Sequence, residues 1–219
     1  MGIREYVGKE VTVRYEAARC IHAGECTRGA PEAFDRDARP WIRPDGASVE
    51  HLVNVVARCP TGALTVCTSD GRELEPRADR NVASVQPKGP IYLRARIRIP
   101  GGEHATLVEY ARVALCRCGA SANKPFCDGS HDRVGFADAG ACANVPASVE
   151  AEPSGPIVVY PQPNGPLRIE GAIEFRAAGG STFVTEKVWL CRCGQSGNKP
   201  FCDGTHKRIG FRAGETTGP

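Results

Sequence analysis

Aromatic side chains are scarce in this 219-residue chain: they make up 6% of it, with two Trp, and there is one Met. So few large apolar groups cannot fill one big core, and small cores of this kind usually need inorganic staples. No apolar run approaches the length of a membrane-spanning helix. The opening residues, Met1-Gly2-Ile3-Arg4-Glu5, carry no apolar signal region, so a cytoplasmic protein is expected. A phosphate-binding glycine loop, a dinucleotide fingerprint and a hydrolase constellation are all missing, which leads us to expect a protein that is not an enzyme. Dense Lys/Arg runs interleaved with aromatics are absent as well, which argues against nucleic acid as a partner. Residues 1–75 hold ten Lys/Arg against twelve Asp/Glu, and the remainder holds 18 against 13, so the C-terminal part is mildly basic. Such a balance suits an acidic redox partner, although most of these charges read as solvated strand faces.

Glycine and proline are plentiful, 25 and 17 residues, and mark a loop-rich chain. Cysteine is plentiful too, with 11 residues. In a chain without a signal region, cysteines grouped with histidines read as metal ligands rather than disulfides.

One sixteen-residue stretch occurs twice. The first copy runs from Cys116 to His131 and the second from Cys191 to His206; they differ only at Ala120/Gln195, Ala122/Gly197 and Ser130/Thr205. Both continue into Arg-x-Gly-Phe, at Arg133-Gly135-Phe136 and Arg208-Gly210-Phe211. The recurring donors are Cys116, Cys118, Cys127 and His131, and Cys191, Cys193, Cys202 and His206. Three thiolates and an imidazole make a complete four-ligand shell. A structural zinc site is one reading of a Cys3His set. The tight Cys-x-Cys spacing favours the other, in which two sulfurs hold one iron of a sulfide-bridged pair and Cys127 with His131 holds the second. Gly119 and Gly129 suit close backbone passage. Asp128 and Ser130 read as helix-start residues, with Cys127 and His131 sharing the first turn. Lys124 and Lys199 read as solvated loop charges.

The segments Cys127-Asp128-Gly129-Ser130-His131 and Cys202-Asp203-Gly204-Thr205-His206, with their Cys-x-Cys pairs, Ser121, Pro125 and Phe126, resemble the signature of CDGSH iron–sulfur (NEET) domains. The resemblance implies a [2Fe–2S] cluster held by three Cys and one His in each motif. It also implies pairing of two motifs, which single-motif members achieve as homodimers. A tandem chain would achieve it internally, as an intramolecular pseudo-dimer within a monomer of pseudo-two-fold symmetry.

Nearer the start, Cys20-Ile21-His22-Ala23-Gly24-Glu25-Cys26 and Cys59-Pro60 resemble a divergent single-cluster ferredoxin over about residues 5–70. The family's central cysteine position holds Ala23. Three thiolates suit a [3Fe–4S] cluster; a [4Fe–4S] cluster would need water or a neighbour such as His22. The alternative is a ferredoxin fold whose cysteines are empty. His22 and Glu25 read as loop residues, and Cys67 and Cys142, which repeat nowhere, as ordinary thiols.

The pattern predicts an α+β protein: a small ferredoxin-like α+β domain (1–75), then two mainly-β CDGSH domains (76–145 and 146–219). A strand is expected over Tyr6–Tyr15, a helix over Val49–Ala57 and a strand over Ala63–Cys67. Residues 68–86 read as a polar linker. Each repeat, at about 87–137 and 163–212, holds two strands after a Gly-Pro turn, Ile91–Ile99 with Val108–Leu115 and Leu167–Phe175 with Phe183–Leu190. Gly101-Gly102 and Gly179-Gly180 mark the turns between them, and a Pro-rich stretch joins the repeats. The function expected is electron transfer to a redox partner protein. The alternatives are cluster storage and transfer to an apo-protein acceptor, a zinc-stapled interaction module, and an oxidoreductase subunit working with a flavoprotein.

Overall fold

In a computed structural model, which describes residues 2–76, 78–101 and 106–213, the chain forms two compact units, Met1–Pro76 and Arg77–Pro219. Short helices and many strands make up both. No helix among the described residues is long and apolar enough to cross a membrane.

In the first unit, β1 (Arg4–Val7) and β2 (Val11–Tyr15) form an antiparallel hairpin, and β3 (Leu64–Thr68) pairs with the other edge of β2. The stretch expected to be one strand from Tyr6 to Tyr15 is therefore two. The chain turns at Gly8, whose N–H donates to Val11 O at 2.9 Å. Alternation alone does not register a two-residue turn. Helix α1 (Glu25–Gly29) is short and begins at Glu25, which the sequence placed in a loop. Helix α2 (Val49–Val56) starts where Ser48 Oγ accepts from His51 N at 3.3 Å, a side-chain cap that satisfies an otherwise unpaired amide. It buries Leu52, Val55 and Val56 among Val11, Val13, Phe34, Ile42, Leu64 and Val66. Each such side chain contributes about 1.5–3 kcal/mol of transfer free energy.

The second unit is built on one six-stranded sheet. Its strands are β4 (Val82–Val85), β5 (Ile91–Gly101), β6 (Thr106–Leu115), β7 (Pro156–Pro161), β8 (Leu167–Arg176) and β9 (Thr182–Leu190). The long hairpins β5–β6 and β8–β9 lie at the two sides. Between them sit the short strands, and each pairs with both hairpins. β4 runs antiparallel to β5 (Val82↔Arg94) and parallel to β8 (Val82↔Glu174). β7 runs antiparallel to β8 (Val158↔Glu170) and parallel to β5 (Arg96↔Pro156). Each hairpin shifts register at its midpoint, between Arg94 and Ile97 and between Glu170 and Ile173, where its central neighbour changes.

The sequence missed both short strands. The segment read as a linker, 68–86, holds β4, and the Pro-rich join holds β7. Neither has a period long enough to see, and both are held by partners far away in the chain. Of the expected glycine turns, Gly179-Gly180 closes the second hairpin, with Gly180 N donating to Ala177 O at 3.0 Å; Gly102 of the first lies outside the described residues. Alternate residues of the sheet, among them Ile91, Leu93, Ile97, Ile157, Ile169 and Phe175, form one continuous core across both repeats.

Because Ile157 on β7 is fully buried between the two hairpins, Ile157→Ala should lower stability by about 3 kcal/mol. A thermal melt should show the second unit shifting as one transition. Two separate transitions would mean that the repeats fold independently.

Candidate metal centres

Each repeated motif begins where a long strand ends. β6 delivers Cys116, and β9 delivers Cys191. The loop then returns to that same strand end. Phe126 bridges Leu115 and Phe201 bridges Leu190, each phenyl entering the sheet core. Cys116 N donates to Pro125 O at 2.9 Å, and Cys127 N donates to Ala114 O at 2.8 Å. The second copy repeats this, with Cys191 N to Pro200 O at 2.8 Å and Cys202 N to Trp189 O at 2.9 Å. First and third cysteines are thus fixed to adjacent backbone. Within the loop, Ser121 Oγ donates to Phe126 O at 2.7 Å and accepts from Asn123 N at 3.0 Å; Ser196 makes the same pair of bonds to Phe201 and Asn198. Lys124 and Lys199, read as solvated charges, donate their ammonium groups to Ser121 O and Ser196 O.

Helices α3 (Ser130–Arg133) and α4 (Thr205–Arg208) carry the histidines. The expectation that Cys127 shares the first turn with His131 is corrected here. Gly129 takes the position before the helix with φ +83°, leaving Cys127 outside it. Asp128 does meet the helix start, since its carboxylate accepts from Ser130 N at 3.0 Å and from Ala122 N at 2.8 Å. Burial works against that charge, but these bonds outweigh it and hold the carboxyl below its ordinary range. Asp203 is likewise held low by Thr205 N and Gly197 N.

The donor atoms gather in pairs. Cys116 Sγ lies 3.8 Å from Cys118 Sγ, and Cys127 Sγ lies 3.3 Å from His131 Nδ1. In the second motif, Cys191 and Cys193 are 3.7 Å apart, and Cys202 lies 3.4 Å from His206 Nδ1. Among the described residues no three Cys, His, Asp or Glu side chains converge as a ready single-ion site. Burial pushes the Cys127 thiol up to about 11, and raises Cys202 as well. In the Cys116/Cys118 pair, the bond between the sulfurs raises Cys116, while Cys118 falls to about 6 because Cys116 donates to it and Ala120 N supports it.

The two motifs meet through backbone. Gly119 has φ +81°, and a Cβ there would lie 2.4 Å from Cys193 O; Gly194 has φ +80°, and its Cβ would lie 2.2 Å from Cys118 O. Only glycine fits at either place. Beside this contact lie two arginines that the sequence reading passed over, although each stands between two cysteines in both copies. Arg117 and Arg192 are both about 1% exposed. Arg117 donates to Gly89 O at 2.9 Å and Gln86 O at 2.6 Å, pairs with Asp138 and lies over the Phe136 ring. Arg192 donates to Gly165 O at 2.9 Å, Gln162 O at 2.6 Å and Ala213 O at 3.3 Å, over Phe211.

In the first unit, Cys20, Cys26 and Cys59 line one cavity of about 420 Å³, together with His22, Tyr15 and Trp41. Cys20 follows a 3-10 turn (Ala17–Arg19), Cys26 sits in α1, and Cys59 follows α2. The buried Arg19 ties two of these segments by donating to Thr61 O at 2.5 Å. Burial raises the Cys26 thiol, with Cys59 and Cys20 near enough to add to the shift. Cys67 and Cys142 lie elsewhere, both buried, Cys67 on β3 and Cys142 in the core of the second unit.

Comparison with known proteins matches these sites to families. A family model described as iron-binding zinc finger, CDGSH type, matches twice, over residues 88–132 and 164–207. A model described as divergent 4Fe-4S mono-cluster matches residues 6–69. The uncharacterized protein YjdI of Escherichia coli (strain K12) is 41% identical over 63 residues, covering 29% of this chain and 83% of that protein. YjdI of Escherichia coli O157:H7 matches to the same extent. The chain belongs to the CDGSH iron-binding family in tandem form, with a divergent mono-cluster domain before it, and it is an iron–sulfur-binding protein.

The reciprocal glycine contact generates a prediction that a single-site view does not. Gly194→Ala places a Cβ against Cys118 in strained backbone, which should cost about 3 kcal/mol or more. It should also disturb metal binding at both motifs. The measurement is iron content and visible spectrum of Gly194→Ala beside Cys202→Ser, which should empty one motif only.

Proposed function

We propose that this protein is a non-enzymatic electron carrier whose two C-terminal motifs each hold a [2Fe–2S] cluster. Cys116, Cys118, Cys127 and His131 hold one; Cys191, Cys193, Cys202 and His206 hold the other. Cys20, Cys26 and Cys59 hold a third, cubane-type cluster. When bound, the clusters supply reversible one-electron chemistry.

The observation that carries this reading is the pairing of the donors. Each motif offers two couples, sulfur with sulfur and sulfur with imidazole, at 3.3–3.8 Å. Two couples suit two irons joined by sulfide. A lone zinc would need all four donors around one point, and no such convergence exists among the described residues. The thiols that burial holds up also fit, because iron supplies the positive charge that stabilises a buried thiolate. The exchange of β4 and β7 between the hairpins supports an internal pseudo-dimer, so the protein would act as a monomer. The three domains would be 1–75, 76–145 and 146–219. Joining a ferredoxin-like unit to a two-cluster unit raises the effective concentration of one redox centre at another. The partner we infer is an acidic redox protein in the cytoplasm.

A second reading, cluster transfer to an apo-protein, draws support from the imidazoles. His131 and His206 are the neutral members of their donor sets, and both rings are partly exposed. Mixing the loaded protein with an apo-ferredoxin separates the two. Electron carriage predicts that visible absorbance stays with this chain, and transfer predicts that it moves.

Two measurements test the proposal. The purified protein should contain iron and acid-labile sulfide in equal amounts; zinc without sulfide would end the cluster reading. His131→Cys should lower the potential of one cluster by on the order of 100 mV, because thiolate replaces imidazole. An unchanged redox titration would remove His131 from the ligand set.

A further inference from the structure

The N-terminal cavity offers three cysteines, and a [4Fe–4S] cubane has four irons to anchor. Ala23, at the position where ferredoxins place their central cysteine, has no donor atom. Most other candidates along the cavity wall are already engaged. Glu25 accepts from Arg28 Nη2 at 2.7 Å, Thr27 Oγ1 donates to Gly24 O at 3.2 Å, and Thr61 Oγ1 accepts from Ala63 N at 3.1 Å. The Tyr15 phenol is bonded to Cys20, and a phenol would have to lose its proton to bind iron. Arg4, Arg36 and Arg39 on the same wall are cations and cannot bind iron.

His22 is different. It lines the cavity, and its Nδ1 lies 3.9 Å from Cys20 Sγ. The same atom relation, imidazole Nδ1 toward cysteine sulfur, recurs at His131 and His206, at 3.3 and 3.4 Å. The backbone of His22 is unusual as well. Its φ is +56°, one of three positive values on non-glycine residues among those described. The other two, Lys88 and Asn164, occupy equivalent turns of the two repeats, where backbone bonds to Asp138 O and Ala213 O hold them. A left-handed residue other than glycine is uncommon and tends to mark a site where strain serves a purpose.

We propose that His22 is the fourth protein ligand of a [4Fe–4S] cluster in the N-terminal cavity, completing the set Cys20, Cys26 and Cys59. The proposal rests on the reading that these cysteines hold a cluster. It gives the left-handed turn a function: the turn presents the imidazole to the space that Ala23 cannot fill. A neutral imidazole in place of a thiolate also leaves the cluster one negative charge lighter, which makes it easier to reduce than an all-cysteine cubane.

The test is EPR of the full chain prepared anaerobically, in its oxidised state. There [2Fe–2S] and [4Fe–4S] clusters are silent and a [3Fe–4S] cluster gives a signal. The wild type should be silent. His22→Gly, which removes the imidazole while favouring the same backbone, should acquire a stoichiometric [3Fe–4S] signal and lose iron. His22→Cys should be silent again and reduce at a lower potential than the wild type. A [3Fe–4S] signal in the wild type, or a His22→Gly variant that stays silent with its iron intact, would overturn the proposal while leaving an N-terminal cluster in place. Unchanged iron and spectra in Cys20→Ser with Cys26→Ser would remove the cluster itself, and the proposal with it.

Discussion

The second unit is organised around a place where no side chain fits. Gly119 and Gly194 each bring backbone so close to the other motif's second cysteine that a Cβ would lie 2.4 and 2.2 Å from a carbonyl oxygen. This contact sets the separation of the two Cys-x-Cys segments and makes them a shared wall. In the sheet, β4 and β7 lie between β5 and β8, each bonded to both, so the two hairpins are joined through these short strands. The register shifts at Arg94/Ile97 and Glu170/Ile173 are where one filler strand gives way to the other.

Sequence similarity between the motifs hides an electrostatic difference between them. Arg117 has a carboxylate partner in Asp138, whereas the equivalent of Asp138 in the second repeat is Ala213, which offers Arg192 only its carbonyl. Burial alone lowers the Arg192 pKa, and the partner that counters it is Cys116 of the other motif. A buried guanidinium without a carboxylate is costly unless negative charge lies nearby. The Cys116 sulfur of the first motif is in position to provide it when ionised. Two motifs differing at three of sixteen positions are thus unequal in charge because of a residue outside both.

What was legible in the sequence follows from how local each signal is. The motif repeat needed only comparison of the chain with itself, and the long strands and α2 showed in their periodicity. The strands β4 and β7 did not, because four to six residues hold no readable period and their pairing is wholly non-local. The hairpin turn at Gly8 was lost inside an alternation that continued across it. Arg117 and Arg192 could have been found, since a residue kept between two candidate ligands in both copies is as strong a signal as the ligands. Their role could not, because Gln86, Gly89 and Asp138 come together only in the fold. At the N-terminus the cysteine pattern was visible, while the left-handed backbone of His22 has no sequence signature.

The two units, unlike in fold, secure their candidate ligands by the same device. Four arginines are buried among the described residues, and three of them, Arg19, Arg117 and Arg192, adjoin a candidate ligand cysteine in the chain. Each reaches away from that cysteine to the carbonyls of a distant loop: Thr61 beside Cys59 for Arg19, and the Gly-Pro turns before β5 and β8 for the others. The choice of arginine follows from what the position demands. Its planar fork can hold two carbonyls at once, and its charge cannot be lost by deprotonation when buried. Lysine would supply one point charge and shed its proton more readily in such surroundings. A guanidinium fixed in this way ties the backbone next to its cysteine to a distant loop: the Thr61 segment that follows Cys59 for Arg19, and the turns before β5 and β8 for Arg117 and Arg192. In each of the three ligand stretches, one buried arginine beside a candidate donor thus fixes the backbone that carries it.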